Sequence, residues 1–160
     1  MLLTLDIGNT NIKAVVFDDQ AIAGSWRLTT DLHRMPQEYA LMISQLLSLH
    51  NISPTNIHGV AISSVVPSLT TTLTTVCNSL FDVLPLVVSS GIKTGIKVLY
   101  DNPREVGSDR VVDSAAAFHL YGGPSIVVDC GTTTVFDGVS ANAEFVGGAI
   151  APGLRSSAEA

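Results

Sequence analysis

The sequence predicts an α/β fold of two duplicated lobes, each a mixed sheet of three meandering strands followed by strand–helix alternation, with the second lobe incomplete. Three observations carry that prediction. The chain opens on three short apolar runs divided by tight polar turns. It then alternates strand and helix patterns up to a hard stop at Gly122-Gly123-Pro124. Beyond that stop the opening pattern begins again.

Leu2 to Ile7 and Ile12 to Phe17 are apolar runs of strand length, and Ala21 to Leu28 alternates after an Asp18-Asp19-Gln20 turn. A helix is expected from Pro36, because proline suits a first helical position and Tyr39, Met42, Ile43, Leu46 and Leu49 fall on one stripe. Ile57 to Ile62 reads as the next buried strand. Pro67 opens a second helix that turns Leu69, Leu73, Val76, Cys77 and Leu80 inward. Val83 to Val88 is another strand, and a Gly- and Lys-containing loop leads to Val98-Leu99-Tyr100. A third helix is expected from Val106 to Tyr121, ended by the two glycines and the proline.

After Pro124, Ser125-Ile126-Val127-Val128-Asp129-Cys130-Gly131-Thr132-Thr133-Thr134 repeats the logic of Leu2-Leu3-Thr4-Leu5-Asp6-Ile7-Gly8-Asn9-Thr10-Asn11. Setting Asp6 on Asp129 also sets Gly8 on Gly131 and Thr10 on Thr133. A second strand follows in both copies, and Ala143 to Val146 is a third in the later one. The expected lobes are therefore residues 1–122 and 123–160, the second cut off near its first helix at Ser157-Ala158-Glu159-Ala160.

Composition narrows the function. Hydrophobic residues make up 46% of the chain and charged residues 14%, which excludes a disordered or tail-like protein. A net charge of −6 argues against broad binding to nucleic acid or an anionic membrane. Cys77 and Cys130 form no C-x-x-C pair and are expected as buried, reduced thiols. The opening apolar run stops at Asp6 and no stretch is long enough to span a bilayer, so a soluble, cytoplasmic protein is expected.

Asp6-Ile7-Gly8-Asn9-Thr10-Asn11-Ile12-Lys13 falls at a tight turn between two strands. Gly8 lets the backbone turn and a phosphate approach, amides and the Asn9 and Thr10 side chains can donate, and Lys13 adds positive charge. Asp6 could hold a phosphate-bound Mg²⁺ through water. A single such turn also suits an ordinary hairpin; its recurrence at Asp129-Cys130-Gly131-Thr132-Thr133-Thr134 favours phosphate. Asp129 with nearby carbonyls suits a hard cation, and the hydroxyls suit terminal phosphates.

Tyr100 followed by Gly107-Ser108-Asp109-Arg110 falls at the start of the third helix. Asp109 there is favoured by the helix dipole alone, or serves as acceptor of a substrate hydroxyl's proton. Arg110 offers a fork matched to a carboxylate, and Tyr100 can shape a small pocket. Gly147-Gly148-Ala149-Ile150-Ala151-Pro152-Gly153 reads as a flexible turn before a helix, either a ligand-facing loop or plain punctuation. Gly91-Ile92-Lys93-Thr94-Gly95-Ile96-Lys97 misses the spacing of a phosphate-binding Walker loop. The histidines His33, His50, His58 and His119 lack zinc-ligand spacing.

In this order and spacing, the motifs resemble those of the type III pantothenate kinases, members of the actin-like, hexokinase-like and Hsp70-like ATPase superfamily. The carriers are D-I-G-N-T-N from Asp6, S-S-V-V-P from Ser63 to Pro67, N-P-x-x-V-G-x-D-R ending at Arg110, D-x-G-T from Asp129, and G-G-x-I-x-P-G ending at Gly153. The resemblance implies ribonuclease H-like lobes and ATP-dependent phosphorylation of pantothenate to 4'-phosphopantothenate, the first step of coenzyme A synthesis. It implies ATP binding by Asp6 to Lys13 and by Thr132, and pantothenate binding by Tyr100, Gly107, Ser108, Asp109 and Arg110, with Asp109 as proton acceptor. It also implies Mg²⁺, a monovalent cation (potassium or ammonium) at Asp129, and a homodimer. Relatives usually read D-x-G-T-A-T-T where this chain carries Thr133 in place of Ala and Val135 in place of the second Thr. The alternatives are a non-catalytic ATP-binding regulator of the same family, and a sugar or acetate kinase or a phosphatase of the same superfamily.

Overall fold

The computed structural model describes residues 1–89 and 91–159, with Arg104 described without its side chain. Ala160, the last residue of the expected second lobe, lies outside the described residues. The chain forms two compact units, Met1–Val88 and Ser89–Ala160. These are units of packing, whereas the lobes expected at 1–122 and 123–160 follow the sequence repeat.

In the first unit, β1 (Leu2–Ile7), β2 (Asn11–Asp18) and β3 (Ala21–Thr29) form an antiparallel meander. Alternation sets one face: Leu3, Leu5 and Ile7 of β1 and Ile12, Ala14 and Val16 of β2 are buried, while Thr4 and Lys13 turn the other way. The β2–β3 turn places Asp19 at φ 55°, the left-handed conformation that Asp tolerates better than most residues.

Helix α1 (Pro36–Leu49) then carries the chain to β4 (Gly59–Ser64), parallel to β1, and α2 (Pro67–Phe81) carries it to β5 (Leu86–Val87), parallel to β4. The sheet order is β3-β2-β1-β4-β5, a mixed sheet as expected. Glu38 Oε2 accepts the Met35 N–H at 2.7 Å and caps the start of α1. Tyr39, Ile43 and Leu47 make its buried row, so Leu47 replaces the expected Leu49, which is 75% exposed. From α2, Leu69, Leu73, Val76, Cys77 and Phe81 complete the core.

In the second unit, β6 (Lys97–Val98) runs parallel to β9 (Glu144–Pro152) at one edge. β7 (Ser125–Cys130), β8 (Thr133–Val139) and β9 form the second antiparallel meander, giving the order β6-β9-β8-β7. Helix α3 (Ser108–Tyr121) packs on β7 and β8, and the short α4 (Leu154–Ala158) follows β9. Val106, Val135, Val139 and Phe145 are buried, as are the polar Ser114 and Asp137. Ile126, Val128, Phe136 and Val146 are left exposed.

Three further expectations are corrected. The run Val83 to Val88 yields the two-residue β5, because Pro85 lies inside it and cannot donate to a ladder. The glycine stretch from Gly147 is strand rather than flexible turn, since β9 continues to Pro152. Cys130 is exposed; Cys77 is buried as expected, and both thiols are free.

Candidate phosphate-binding turns and acceptor site

The first Asp-x-Gly turn closes the β1–β2 hairpin. Its last strand pair is Ile7 with Ile12, and Gly8 N donates to Asn11 O at 3.0 Å across the turn. A Cβ on Gly8 would stand 3.2 Å from Asn11 O, so glycine allows this tight closure. Thr30, at the end of β3, braces the turn from outside: its Oγ1 donates to Gly8 O at 2.6 Å and its N–H to Thr10 O at 3.0 Å. No local motif marks Thr30, and its role becomes visible once β3 is paired with β2.

Within the stretch from Asp6 to Lys13, Ile7 and Ile12 bury their side chains in the core and leave only main-chain atoms for a ligand. Asn9, Thr10 and Lys13 are exposed, and Asp6, Gly8 and Asn11 are half-buried. Asp6 stands directly opposite Lys13, and Lys13 Nζ lies 3.1 Å from Asp6 Oδ2. The pair is half-exposed and so contributes little to stability, about 0–1 kcal/mol. Its chemical effect is to place an ammonium and a carboxylate beside a glycine turn.

The second turn closes β7 on β8 one residue sooner. Cys130 pairs with Thr134, and Gly131 N donates to Thr133 O at 2.9 Å. Thr133 therefore begins a strand, whereas Thr10 stays in the turn. Asp129 is exposed, faces Val135 across the ladder, and forms no ion pair with any described residue. Gly153 packs so closely on the turn that a Cβ there would collide with Thr132 O and reach 2.8 Å from Gly131 O. Thr132 itself is exposed.

No group of three or more His, Cys, Asp or Glu suited to a metal is found among the described residues. Asp6 and Asp129 would each supply one carboxylate. Asp129, exposed and without a cation beside it, with carbonyls in the adjoining turn, fits a hard monovalent cation as one oxygen ligand among several. Asp6, already bridged to Lys13, fits an outer-sphere contact to Mg²⁺.

The residues expected at the acceptor site lie in the second unit. Gly107 is the N-cap of α3, which puts Ser108, Asp109 and Arg110 in its first turn, where amides and dipole favour negative charge. Asp109 Oδ1 accepts the Arg110 main-chain N–H at 2.9 Å. The Arg110 guanidinium lies over the Phe145 ring, 5.2 Å from its centroid, and the Tyr100 ring stands 6.5 Å from that of Phe145. Tyr100, Asp109 and Arg110 thus share one neighbourhood, as the sequence suggests.

Sequence reasoning missed the residue that holds Arg110. Asp137, in the middle of β8, accepts from Arg110 Nε at 2.9 Å and from Nη2, and its side chain is 3% exposed. The hydrogen bonds it donates to Asp137 hold the guanidinium above its ordinary pKa, against an opposing effect of burial. The signal was present: one carboxylate in the otherwise uncharged strand Thr133–Val139 has to find a partner if it is buried.

Two mixed sheets, each containing an Asp-x-Gly hairpin, set the fold class of the chain. Solved structures share that fold: the chain is similar to the ROK hexokinase of Thermus thermophilus at a TM-score of 0.50 and 12% identity, over 88% of this chain and 47% of that one. It is likewise similar to the ethanolamine utilization protein EutJ of Carboxydothermus hydrogenoformans at a TM-score of 0.51 and 15% identity, over 94% and 51%. The sequence model of the family described as type III pantothenate kinase matches residues 2–160, and the chain belongs to that family. It is 49% identical over all 160 residues to a type III pantothenate kinase of Roseiflexus sp. strain RS-1, and 48% identical to type III pantothenate kinase 2 of Symbiobacterium thermophilum. The chain spans 63% and 61% of the length of those two relatives.

Proposed function

We propose that this protein transfers the γ-phosphoryl group of ATP to the primary hydroxyl of pantothenate, giving 4'-phosphopantothenate and ADP. The observation that carries the reading is the joint presence of both Asp-x-Gly turns and of the Gly107-Ser108-Asp109-Arg110 helix start, in a chain of this family. In this reading the stretch from Asp6 to Lys13 and Thr132 bind ATP through backbone amides, hydroxyls and the Lys13 ammonium. Tyr100 and residues 107–110 bind pantothenate. Asp109 takes the hydroxyl proton as the oxygen–phosphorus bond forms and the bond to the ADP oxygen breaks. Asp6 and Asp129 would be the carboxylate contacts of Mg²⁺ and of a monovalent cation, potassium or ammonium, which when bound would offset phosphate charge. Positioning and charge complementarity supply most of the rate in such a transfer.

The same reading treats residues 1–122 and 123–160 as ribonuclease H-like lobes related by duplication. It also assigns a homodimer in the cytoplasm, with no nucleic-acid or membrane partner. The meander recurring in β1–β3 and β7–β9 supports the duplication, and no helix among the described residues is long and apolar enough to cross a membrane.

The test is ADP release by the protein at its full natural length, with and without pantothenate and potassium, for the natural sequence and for Asp109→Asn. Release should require both additions, and Asp109→Asn should lower turnover about 10²–10⁴-fold while the KM for ATP holds. Release that ignores pantothenate would move the protein to another activity of the superfamily, and near-normal turnover of the variant would remove Asp109 from its role.

A further inference from the structure

Arg110 is held far more firmly than a side chain that merely closes a helix start. Its guanidinium has Asp137 along the Nε and Nη2 edge and the Phe145 ring against one face. Room for this arrangement comes from Gly148 on β9, where a Cβ would collide with Asp137 Oδ1, Arg110 Nη2 and Phe136 O. Three strand residues, Asp137, Phe145 and Gly148, thus fix one arginine. The remaining edge, Nη1, carries no hydrogen bond to any described residue.

A buried ion pair is a poor way to stabilise a hairpin, because desolvating both charges offsets most of their attraction. The molecule contains its own control. Asp137 stands opposite Val127, two residues before Asp129, and the corresponding place opposite Thr4, two before Asp6, is Val15. The first hairpin folds with an uncharged side chain there, so the hairpin itself does not require the carboxylate.

We propose that Asp137 is a positioning residue that orients Arg110 so that its Nη1 edge meets the acceptor substrate. This rests on the reading of residues 107–110 as the pantothenate site. An unclamped arginine has many rotamers and would lose entropy on each binding event, whereas a clamped one presents its donors ready-set. The acceptor rather than the nucleotide should therefore register the loss of Asp137.

Steady-state ADP release by the protein at its full natural length, with the KM for pantothenate and for ATP measured separately, tests this. Asp137→Asn should raise the pantothenate KM about tenfold or more and leave the ATP KM within about twofold. Asp137→Glu retains the charge and should restore part of the loss. If removing the buried charge prevents Asp137→Asn from folding, Asp137→Glu carries the test, with a smaller rise confined to pantothenate. Equal changes in both KM values, or none, would overturn the positioning role while the kinase reading stands. A natural sequence that releases no pantothenate-dependent ADP would remove both.

Discussion

The two Asp-x-Gly hairpins share a sequence frame and differ in what surrounds the aspartate. In the first, Asp6 faces Lys13 across the ladder, with the ammonium 3.1 Å away. In the second, Asp129 faces Val135 and has no ion pair among the described residues. The residue after each aspartate differs as well: Ile7 is fully buried, whereas Cys130 is exposed. The motif specifies a carboxylate at a strand end and a glycine that turns the chain. Cross-strand register and the packing of the covered face then decide which charge the site holds. A turn with its own cation suits phosphate, and one with a lone carboxylate suits a cation.

The largest effect expected from this contrast is on stability. Ile7→Ala empties a site enclosed by the first unit's core and should cost about 2–5 kcal/mol in urea unfolding. Cys130→Ala, at the matching place in the second copy, should stay within about 0.5 kcal/mol. Thiol labelling of the folded protein at pH 8 sharpens the same contrast. Cys130 should react, while burial pushes the Cys77 thiol up to about 12 and keeps it protonated and inaccessible until unfolding. The Cys77 shift also favours the folded state below pH 9. Above that the unfolded thiol loses its proton first, so stability should fall as pH rises from 9 towards 12. A costly Cys130→Ala, or prompt labelling of Cys77, would break the comparison.

Much of this was legible because it is local. Pro36 and Pro67 each open a helix, the glycine at each turn marks a hairpin, and alternation along β1 and β2 marks the buried face. What escaped is tertiary. Asp137 lies 27 residues from Arg110 on a different element, and no spacing rule links them. Thr30 braces Gly8 from 22 residues away. Glycines such as Gly148 read as loop punctuation, yet here glycine leaves room inside a strand for two charged side chains. The buried row Tyr39, Ile43 and Leu47 departs from the expected stripe at its last member, since a helix stripe drifts sideways and its end is set by what it packs against.

The next effect concerns the lone carboxylate. Asp129→Ala should lower the affinity for potassium, read as the concentration that half-activates ADP release, by at least about tenfold. The KM for pantothenate should move less. Asp6→Ala should leave the potassium requirement intact, because its carboxylate already has Lys13 as a neighbour. Equal loss of potassium response in both variants would mean that the two turns share one cation role, and the distinction drawn from their cross-strand neighbours would fail.

A small stability effect is also expected at Lys13→Val, which gives the first hairpin the residue type that faces Asp129 in the second. Lys13 is half-exposed and its pair with Asp6 is solvent-screened, so unfolding free energy should change by less than about 1 kcal/mol. Binding should respond more strongly than folding. If the first turn holds phosphate as proposed, losing its ammonium should raise the KM for ATP about tenfold or more, since hydrogen bonds to charged groups contribute about 1.5–3 kcal/mol. The two readouts separate a structural lysine from a ligand-binding one. A variant that unfolds more readily but keeps its ATP KM would place Lys13 with the hairpin, and the first turn would then resemble the second in lacking a cation for phosphate.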